Sequence, residues 1–433
     1  MNQGITSAAF GLHDYNTLVV VVGTTLLGIA AGVVGTFAYL RKRAMMGDAL
    51  SHATLPGVAA VFLLTGEKSL TALLLGAAAT SILGVFSVIG LRRYSRLKED
   101  AAIGVVLSVF FGTGIVLMTI VQKMNTGNEA GVNRFIYGKS AGMLASDAWI
   151  IGATALIALF CVVMFFKEMR LICFDPQYAA AQGWPVVLID LLMMGLVVLT
   201  TVVGLQSVGL ILVIALLIVP AATARFWTDG LLSMTCIAGL LGALSGWLGS
   251  TISSMYPRMP TGPIIVVMAG VFFLVSMLLA PRRGVVAALT RARQFRLKIG
   301  YQNLLRALAE AEEQSGETRS VAFGELFSKR GWTQGLLRRL IRGAERRGAV
   351  TFDTDRRVML TRKGRPEAAR ILRNHRLWEM YLIRYADIAP SHVDRDADWV
   401  EHVLEPDIVR ELERAVEEVR GIPPSPHQIG VAP

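Results

Sequence analysis

Residues 17–39 read TLVVVVGTTLLGIAAGVVGTFAY, a stretch without a charged side chain. A helix needs roughly 20 apolar residues to cross the hydrocarbon core of a bilayer, so this stretch is long enough to span one. It follows the acidic residue Asp14 instead of a basic segment, and it is longer than the hydrophobic part of a signal peptide. We therefore interpret it as a transmembrane helix that is retained.

Eight further apolar runs of similar length follow, and together they predict an all-α polytopic membrane bundle of nine transmembrane helices. The whole chain is 53% hydrophobic and 17% charged, which excludes a soluble single-domain enzyme. The predicted spans are 17–39, 42–65, 69–91, 101–121, 146–166, 186–204, 207–225, 232–250 and 263–281.

Basic residues cluster between or after these spans, at 41–43, 92–98, 167–170, 225 and 282–283. All the clusters lie on one side of the membrane if the N-terminus is outside, and the positive-inside rule makes that side the cytoplasm. The C-terminal tail is then cytoplasmic, and residues 122–145 form the main outer loop. Three acidic residues at span boundaries are interpreted as helix caps: Asp147, Asp190 and Asp229.

The second predicted span contains the sequence GDALSHATLPG at residues 47–57. Asp48 and His52 are four residues apart, so a helix places both side chains on one face. Ionisable side chains within a bilayer are costly and mostly face a cavity or a pathway. Carboxylate and imidazole donors suit Mn²⁺, Fe²⁺ and Zn²⁺. The pattern therefore predicts a metal pathway, and a packed Asp–His hydrogen bond that only stabilises the bundle is the alternative.

The GDALSHA and LPG sequences resemble the signature of the membrane permeases of bacterial ABC importers for zinc, manganese and iron. Three later stretches are also similar to that family: FDP at 174–176 with Ala179 and Gly183, the span 208–225 that contains LLIVPAATAR, and PTGPI at 260–264. The resemblance covers residues 17–283.

The resemblance implies that two such subunits, identical or paralogous, form a path lined by Asp48 and His52 in a bacterial cytoplasmic (inner) membrane. It also implies an extracytoplasmic metal-binding protein and a cytoplasmic ABC ATPase that docks on Asp175, Pro176, Ala179 and Gly183. The chain has no GxxxxGK[ST] phosphate loop, so ATP hydrolysis is expected from that partner. No catalytic residue and no cofactor for catalysis is assigned. A plain solvated loop is the alternative for Asp175–Gly183.

The tail after the last span predicts a different fold. Residues 302–313, 321–330 and 332–347 have helical patterns, and 350–352 with 358–361 are predicted strands. Three helices followed by a hairpin are typical of a winged-helix domain. The predicted division is a permease domain at 1–283, a linker at 284–300, an α+β winged-helix-like domain at 301–365 and a helical metal-sensor and dimerisation-like segment at 366–433.

Histidines of this last segment lie close to carboxylates. The candidate metal ligands are His375, Glu379, His392, Asp398, Glu401 and His402. The stretches that carry them, 375–379 and 392–402, resemble the metal-sensing helices of the iron- and manganese-dependent repressors related to the diphtheria toxin repressor. Solvated helix faces with incidental histidines are the alternative.

Arg338, Arg339 and Arg342 would lie on the recognition helix if the tail bound DNA. Tethering to a membrane makes DNA an unlikely partner, and the same arginines could face anionic membrane lipid or the ATPase. The preferred hypothesis is a metal-importer permease whose tail senses metal. Its rivals are a membrane-anchored metal-responsive DNA-binding regulator and an ion-gradient-driven transporter, neither of which needs an ATPase-docking loop.

Overall fold

The computed structural model describes residues 15–66, 70–123, 143–256, 259–315, 320–329, 332–353, 355, 357–385 and 412. The chain divides into two compact units, Met1–Ala288 and Leu289–Pro433. The helices of the first unit are α1 (Tyr15–Leu40), α2 (Ala44–Thr65), α3 (Leu70–Tyr94), α4 (Glu99–Lys123), α5 (Ala145–Met164), α6 (Phe166–Phe174), α7 (Pro176–Ala181), α8 (Val186–Val208), α9 (Leu210–Trp227), α10 (Leu231–Met255) and α11 (Thr261–Leu279).

Within the described residues, eight of these helices are long and apolar enough to cross a membrane. They are α1 to α5, α8, α10 and α11, and each corresponds to a predicted span. The multi-pass helical membrane fold is therefore confirmed. The remaining predicted span, 207–225, corresponds to α9, of which the described stretch Leu212–Trp227 is apolar but shorter than those eight helices. The count of nine spans stays a prediction.

Helix α1 packs against α10 through small residues. A Cβ atom added to Gly28 would lie 2.2 Å from the carbonyl oxygen of Gly242, and one added to Gly246 would lie 2.4 Å from that of Thr24. Only glycine permits such an approach of two backbones, and close backbone packing replaces the hydrophobic effect that lipid cannot supply between helices.

Helix α2 lies between α3 and α4. Gly57 approaches the backbone of Gly76 on α3, and Gly114 on α4 faces Leu55 and Pro56. Pro56 has no amide hydrogen, so the carbonyl of His52 one turn earlier lacks its helical partner. The middle of α2 is therefore held by close packing and not by its own hydrogen bonds alone.

The second unit contains α12 (Val285–Ser315) from Leu289 onward, α13 (Phe323–Lys329), α14 (Gln334–Arg346), the strands β1 (Val350–Phe352) and β2 (Val358–Leu360), and α15 (Gly364–Tyr385). The strands are antiparallel, with Val350 paired to Leu360. Their buried side chains share one core with α12 and α14, including Leu304, Leu308 and Leu337.

The linker predicted at 284–300 stays a prediction. Residues 285–300 are helical, because this stretch contains good helix formers and no proline or internal glycine before Gly300. The predicted helix 321–330 begins only at Phe323, because Val321 forms a β-bridge with Val358. The order of helices and hairpin agrees with the sequence analysis, but the winged-helix assignment stays a prediction. Of the predicted helical segment at 366–433, the described residues are 366–385 and Leu412.

Candidate metal pathway and coupling loop

Asp48 and His52 lie one turn apart on α2, as their spacing predicts. Nε2 of His52 is 3.4 Å from Oδ1 of Asp48, which is long for a hydrogen bond to a carboxylate. The side chain of Asp48 is 37% exposed and that of His52 is 20% exposed. Their neighbours Leu50 and Ala53 are buried. The pair thus lies on the face of α2 that opens out of the bundle.

The imidazole of His52 is held by packing. Its ring lies 4.6 Å from the ring of Phe111 on α4, in an edge-to-face arrangement at 73°. Nδ1 of His52 is buried without a hydrogen-bond partner. The carboxylate of Asp48 is only loosely paired, and His52 has one ring nitrogen without a hydrogen bond. Both side chains therefore keep lone pairs that could bind a metal ion, which a fully hydrogen-bonded Asp–His pair would not.

The predicted coupling loop forms the short helix α7. Asp175 caps it, since its Oδ1 accepts a 2.8 Å hydrogen bond from the amide of Tyr178, and Pro176 occupies the first helical position. Ala179 is fully buried against the unit. Gly183 ends the loop with φ of 82°, a conformation that favours glycine.

A surface cavity of about 510 Å³ lies beside this loop. The side chain of Phe174 next to it is 59% exposed and that of Tyr178 is 52% exposed. Large exposed apolar side chains outside the spans are typical of a protein contact. The other wall is formed by residues 229–230, just before α10, and by the first residues of α10, 231–233, so the start of α10 and the coupling loop lie at the same end of the unit.

Two arginines and an aspartate form a cluster that the sequence analysis did not identify. Arg43 lies 2.5 Å and Arg41 3.1 Å from the carboxylate of Asp190. Asp190 was interpreted as a cap, but it lies on the fifth residue of α8 and binds side chains from the turn between α1 and α2. Of the other predicted caps, Asp147 does accept a 3.0 Å hydrogen bond from the amide of Leu144 at the start of α5.

Asp229 also pairs with arginines: Arg225, Arg282 and Arg283 lie within ion-pair distance of its carboxylate. The basic residues at the ends of α9 and α11 therefore meet at one end of the unit. The only local sequence signal for either cluster is an acidic residue beside a basic run, and it does not identify the partners.

In the tail, His375 and Glu379 lie together on α15, with Nε2 of His375 3.1 Å from Glu379. Both side chains are only 3% exposed. The structure adds Arg306 of α12, whose guanidinium lies 2.6 Å from Nδ1 of His375. The described part of the chain has no group of three or more His, Cys, Asp or Glu placed to hold a metal ion. His392, Asp398, Glu401 and His402 lie outside the described residues.

The arginines of the predicted recognition helix are exposed on α14. Arg339 and Arg342 line a cavity of about 250 Å³ together with Arg347. The guanidinium of Arg347 lies 4.5 Å from the ring centre of Tyr301. Burial and a 2.9 Å hydrogen bond to Glu367 raise the pKa of Tyr301 to about 12, so this ring stays neutral.

Similarity to known proteins covers both units. Residues 13–280 match the ABC 3 transport family. Residues 361–427 match the iron dependent repressor, metal binding and dimerisation domain. The chain is 39% identical over 386 residues to the manganese transport system membrane protein MntC of Bacillus subtilis, covering 89% of this chain and 88% of that protein.

Two further similarities cover about two thirds of the chain. The zinc transport system membrane protein TroC of Treponema pallidum is 43% identical over 284 residues, which cover 66% of this chain and 95% of that protein. A solved structure, PsaBC from Streptococcus pneumoniae in complex with Fab, is 32% identical with a TM-score of 0.55, and the match covers 63% of this chain and 94% of that chain. On this evidence the chain belongs to the ABC 3 transport family, with a metalloregulator-like domain at its C-terminus.

Proposed function

We propose that this chain is the permease subunit of an ABC importer that moves a divalent transition metal ion into the cytoplasm. Asp48 and His52 are its transient metal ligands. The observation that carries this proposal is a carboxylate and an imidazole on one face of an apolar helix, 3.4 Å apart and both partly exposed.

The proposed partners are those that membership of the ABC 3 transport family implies. A path on the surface of one subunit needs a second permease subunit, identical or paralogous, to enclose it. The docking site for a cytoplasmic ATPase comprises Asp175, Pro176, Ala179 and Gly183, and the exposed Phe174 and Tyr178 beside it supply apolar contact area. An extracytoplasmic metal-binding protein delivers the ion.

We further propose nine spans in the bacterial cytoplasmic membrane, with the N-terminus outside and the tail inside. Basic side chains of Arg41, Arg43, Arg225 and Arg283 lie at the ends of helices that the proposed topology places in the cytoplasm.

Mn²⁺ or Zn²⁺ is the proposed cargo. MntC and TroC are named as transporters of these two ions, and carboxylate with imidazole donors suits both. Fe²⁺ is a third candidate that the same donors accept.

Uptake of Mn²⁺ and Zn²⁺ by cells that produce the complete transporter tests this function. Asp48→Ala and His52→Ala should abolish uptake while membrane insertion stays normal. Ser51→Ala is the matched control on the same helix, because the Ser51 hydroxyl only bonds the carbonyl of Gly47 at 2.7 Å within the helix. Normal uptake by both ligand variants would refute the role of the pair.

A regulatory role of the tail is a second proposal. The match of residues 361–427 to a metal-binding and dimerisation domain favours it. We propose that metal binding by His375, Glu379, His392, Asp398, Glu401 and His402 adjusts transport to the cytoplasmic supply. DNA binding through Arg338, Arg339 and Arg342 is the alternative, and a gel-shift experiment with genomic DNA fragments, with and without Mn²⁺, would detect it.

A further inference from the structure

We propose that Arg41, Arg43 and Asp190 form an electrostatic joint that transmits movement of the coupling loop to helix α2, and thus to Asp48 and His52. This inference rests on the proposed function of the coupling loop. The three residues belong to two parts of the chain, the turn between α1 and α2 and the beginning of α8.

The turn that carries the arginines is short and tightly bonded. It consists of residues 41–43, and Lys42 adopts φ of 59°, in the left-handed region. The amide of Arg43 donates a 2.8 Å hydrogen bond to the carbonyl of Ala38, and the amide of Met46 donates to that of Arg43 at 2.9 Å. A turn with these bonds moves as one body with the first turn of α2.

Both arginines bind the same partly buried carboxylate. Arg43 is only 5% exposed, and Asp190 has a side-chain exposure of 16%. Arg43 is the residue before α2, and its guanidinium, which can only donate hydrogen bonds, donates to Asp190. Separating the arginines from Asp190 would leave the buried charge of Arg43 uncompensated, which is strongly unfavourable.

The joint also touches the segment that leads into the coupling loop. Arg41 donates a 3.1 Å hydrogen bond to the carbonyl of Ile172, near the end of α6. Asp190 lies in α8, the helix that follows the coupling loop. The chain between the loop and α8 is held by a 3.1 Å hydrogen bond from the amide of Trp184 to the carbonyl of Ala179. Both ends of the coupling loop are therefore tied to the turn before α2.

The path from the joint to the metal ligands is short. Asp48 lies five residues after Arg43, which corresponds to about 7.5 Å along a helix. Since α2 packs closely against α3 and α4 through Gly57 and Gly114, a displacement of its first turn shifts or rotates the face that carries Asp48 and His52. The ion pair thereby positions the ligands according to the state of the loop.

The test uses the full chain with its ATPase, reconstituted into vesicles of phosphatidylethanolamine and phosphatidylglycerol. Mn²⁺ uptake and ATP hydrolysis are measured together. The neutral double variant Arg43→Gln/Asp190→Asn should hydrolyse ATP but move fewer Mn²⁺ ions per ATP, by roughly tenfold. The single variant Asp190→Glu keeps the negative charge, so it should retain most of the wild-type ratio of Mn²⁺ to ATP.

Asp147→Asn is the matched control. It removes a carboxylate from the first turn of α5 in the same unit, where the asparagine Oδ1 can still accept the hydrogen bond from the amide of Leu144. It should leave the ratio of Mn²⁺ to ATP unchanged. A loss of uptake and hydrolysis in proportion in the double variant would indicate a structural role only and overturn the joint.

The failure of the joint is distinguishable from the failure of the proposed function. If Asp48→Ala abolishes uptake while the double variant transports at the wild-type ratio, the joint is wrong and the permease function stands. If Asp48→Ala and His52→Ala both transport normally, the pair is not the ligand site and the joint has no ligands to position. If the wild-type complex shows no ATP-driven Mn²⁺ uptake, the proposed function itself is wrong.

Thiol labelling checks the fold of these variants. Burial raises the pKa of Cys173 to about 12, and Arg41, Asp190 and Arg43 are the charged groups around it. In a background of Cys161→Ala and Cys236→Ala, a correctly folded variant should react with a maleimide as slowly as the parent does. If the double variant reacts fast, its fold is disturbed and the charge-conserving variant Asp190→Glu is used instead. A ratio of Mn²⁺ to ATP near wild type in Asp190→Glu then supports the joint, and a ratio reduced by roughly tenfold in that variant overturns it.

Discussion

The guanidinium of Arg306 lies 2.6 Å from Nδ1 of His375 and 3.0 Å from Nε2, in the interior of the tail. Arg306 is 1% exposed, and it also lies 3.2 Å from Glu310 on its own helix. A resident cation thus occupies the side of the imidazole that a metal ion would approach. Any metal bound by His375 and Glu379 has to displace it.

Arg306→Met is therefore expected to have opposite effects on stability and on metal affinity. Removing one member of a buried charged cluster should lower the free energy of unfolding by about 3 kcal/mol. The same variant should bind Mn²⁺ more tightly than the parent, because no guanidinium competes for His375. Thermal unfolding and equilibrium dialysis of the purified chain measure the two effects.

Both measurements require a background of Asp48→Ala/His52→Ala, so that the membrane site does not contribute. Arg370→Met is the control, since Arg370 is exposed on the same helix as His375. Weaker Mn²⁺ binding by Arg306→Met than by the parent would contradict the competition between guanidinium and metal.

Phe111→Leu should weaken metal capture without stopping transport. The ring of Phe111 packs against His52 at 4.6 Å, and such an aromatic contact contributes about 0.5–1.5 kcal/mol. The half-saturating Mn²⁺ concentration for uptake should rise by roughly three- to tenfold, with little change in the maximal rate. Phe160→Leu, which changes a ring 65% exposed on α5, should not alter it. An unchanged half-saturating Mn²⁺ concentration in Phe111→Leu would show that the Phe111 ring does not position His52.

Gly28→Ala should destabilise the membrane unit. The added Cβ would lie 2.2 Å from the carbonyl oxygen of Gly242, so α1 and α10 would have to separate. Overpacking of this kind costs about 1–3 kcal/mol. Gly195→Ala is the matched control, because a Cβ there meets nothing within 4 Å. Unfolding temperatures in detergent compare the two, and equal temperatures would mean that the close approach of α1 and α10 is not needed.

Arg376→Met should change how tail stability depends on pH. A 2.8 Å hydrogen bond from Arg376 holds the pKa of Glu313 below its usual value of 4.5. A carboxyl whose pKa is lowered by folding stabilises the fold above its unfolded pKa, and this contribution disappears as the pH falls through the folded pKa. The wild type should therefore be more stable than the variant above pH 4.5, and the difference should shrink below it.

Thermal unfolding of both proteins over a series of pH values measures this difference. Because half of the Glu313 side chain is exposed, solvent screening keeps the effect small. Arg370→Met again controls for the loss of one positive charge. A difference between wild type and Arg376→Met that grows with acidity would reverse the expected sign.

The sequence determined the membrane fold and the candidate ligand pair. A hydrocarbon solvent accepts only long apolar helices, so eight spans could be read from composition alone, within a few residues of their observed ends. The four-residue spacing of Asp48 and His52 fixed their common face for the same local reason. Local patterns did not predict the start of the helix expected from residue 321. Val321 forms a β-bridge with Val358 instead, and the helix begins at Phe323.

Only the tertiary structure decided which charges meet. Asp190 is 147 residues from Arg43, and His375 is 69 residues from Arg306. No period or spacing in the sequence encodes such partners, because a charged side chain is compatible with many positions until packing buries it. Once packing buries a charge, leaving it unpaired is strongly unfavourable, so the buried position requires a partner. Helix packing therefore decides that Arg43 meets Asp190 and that Arg306 meets His375.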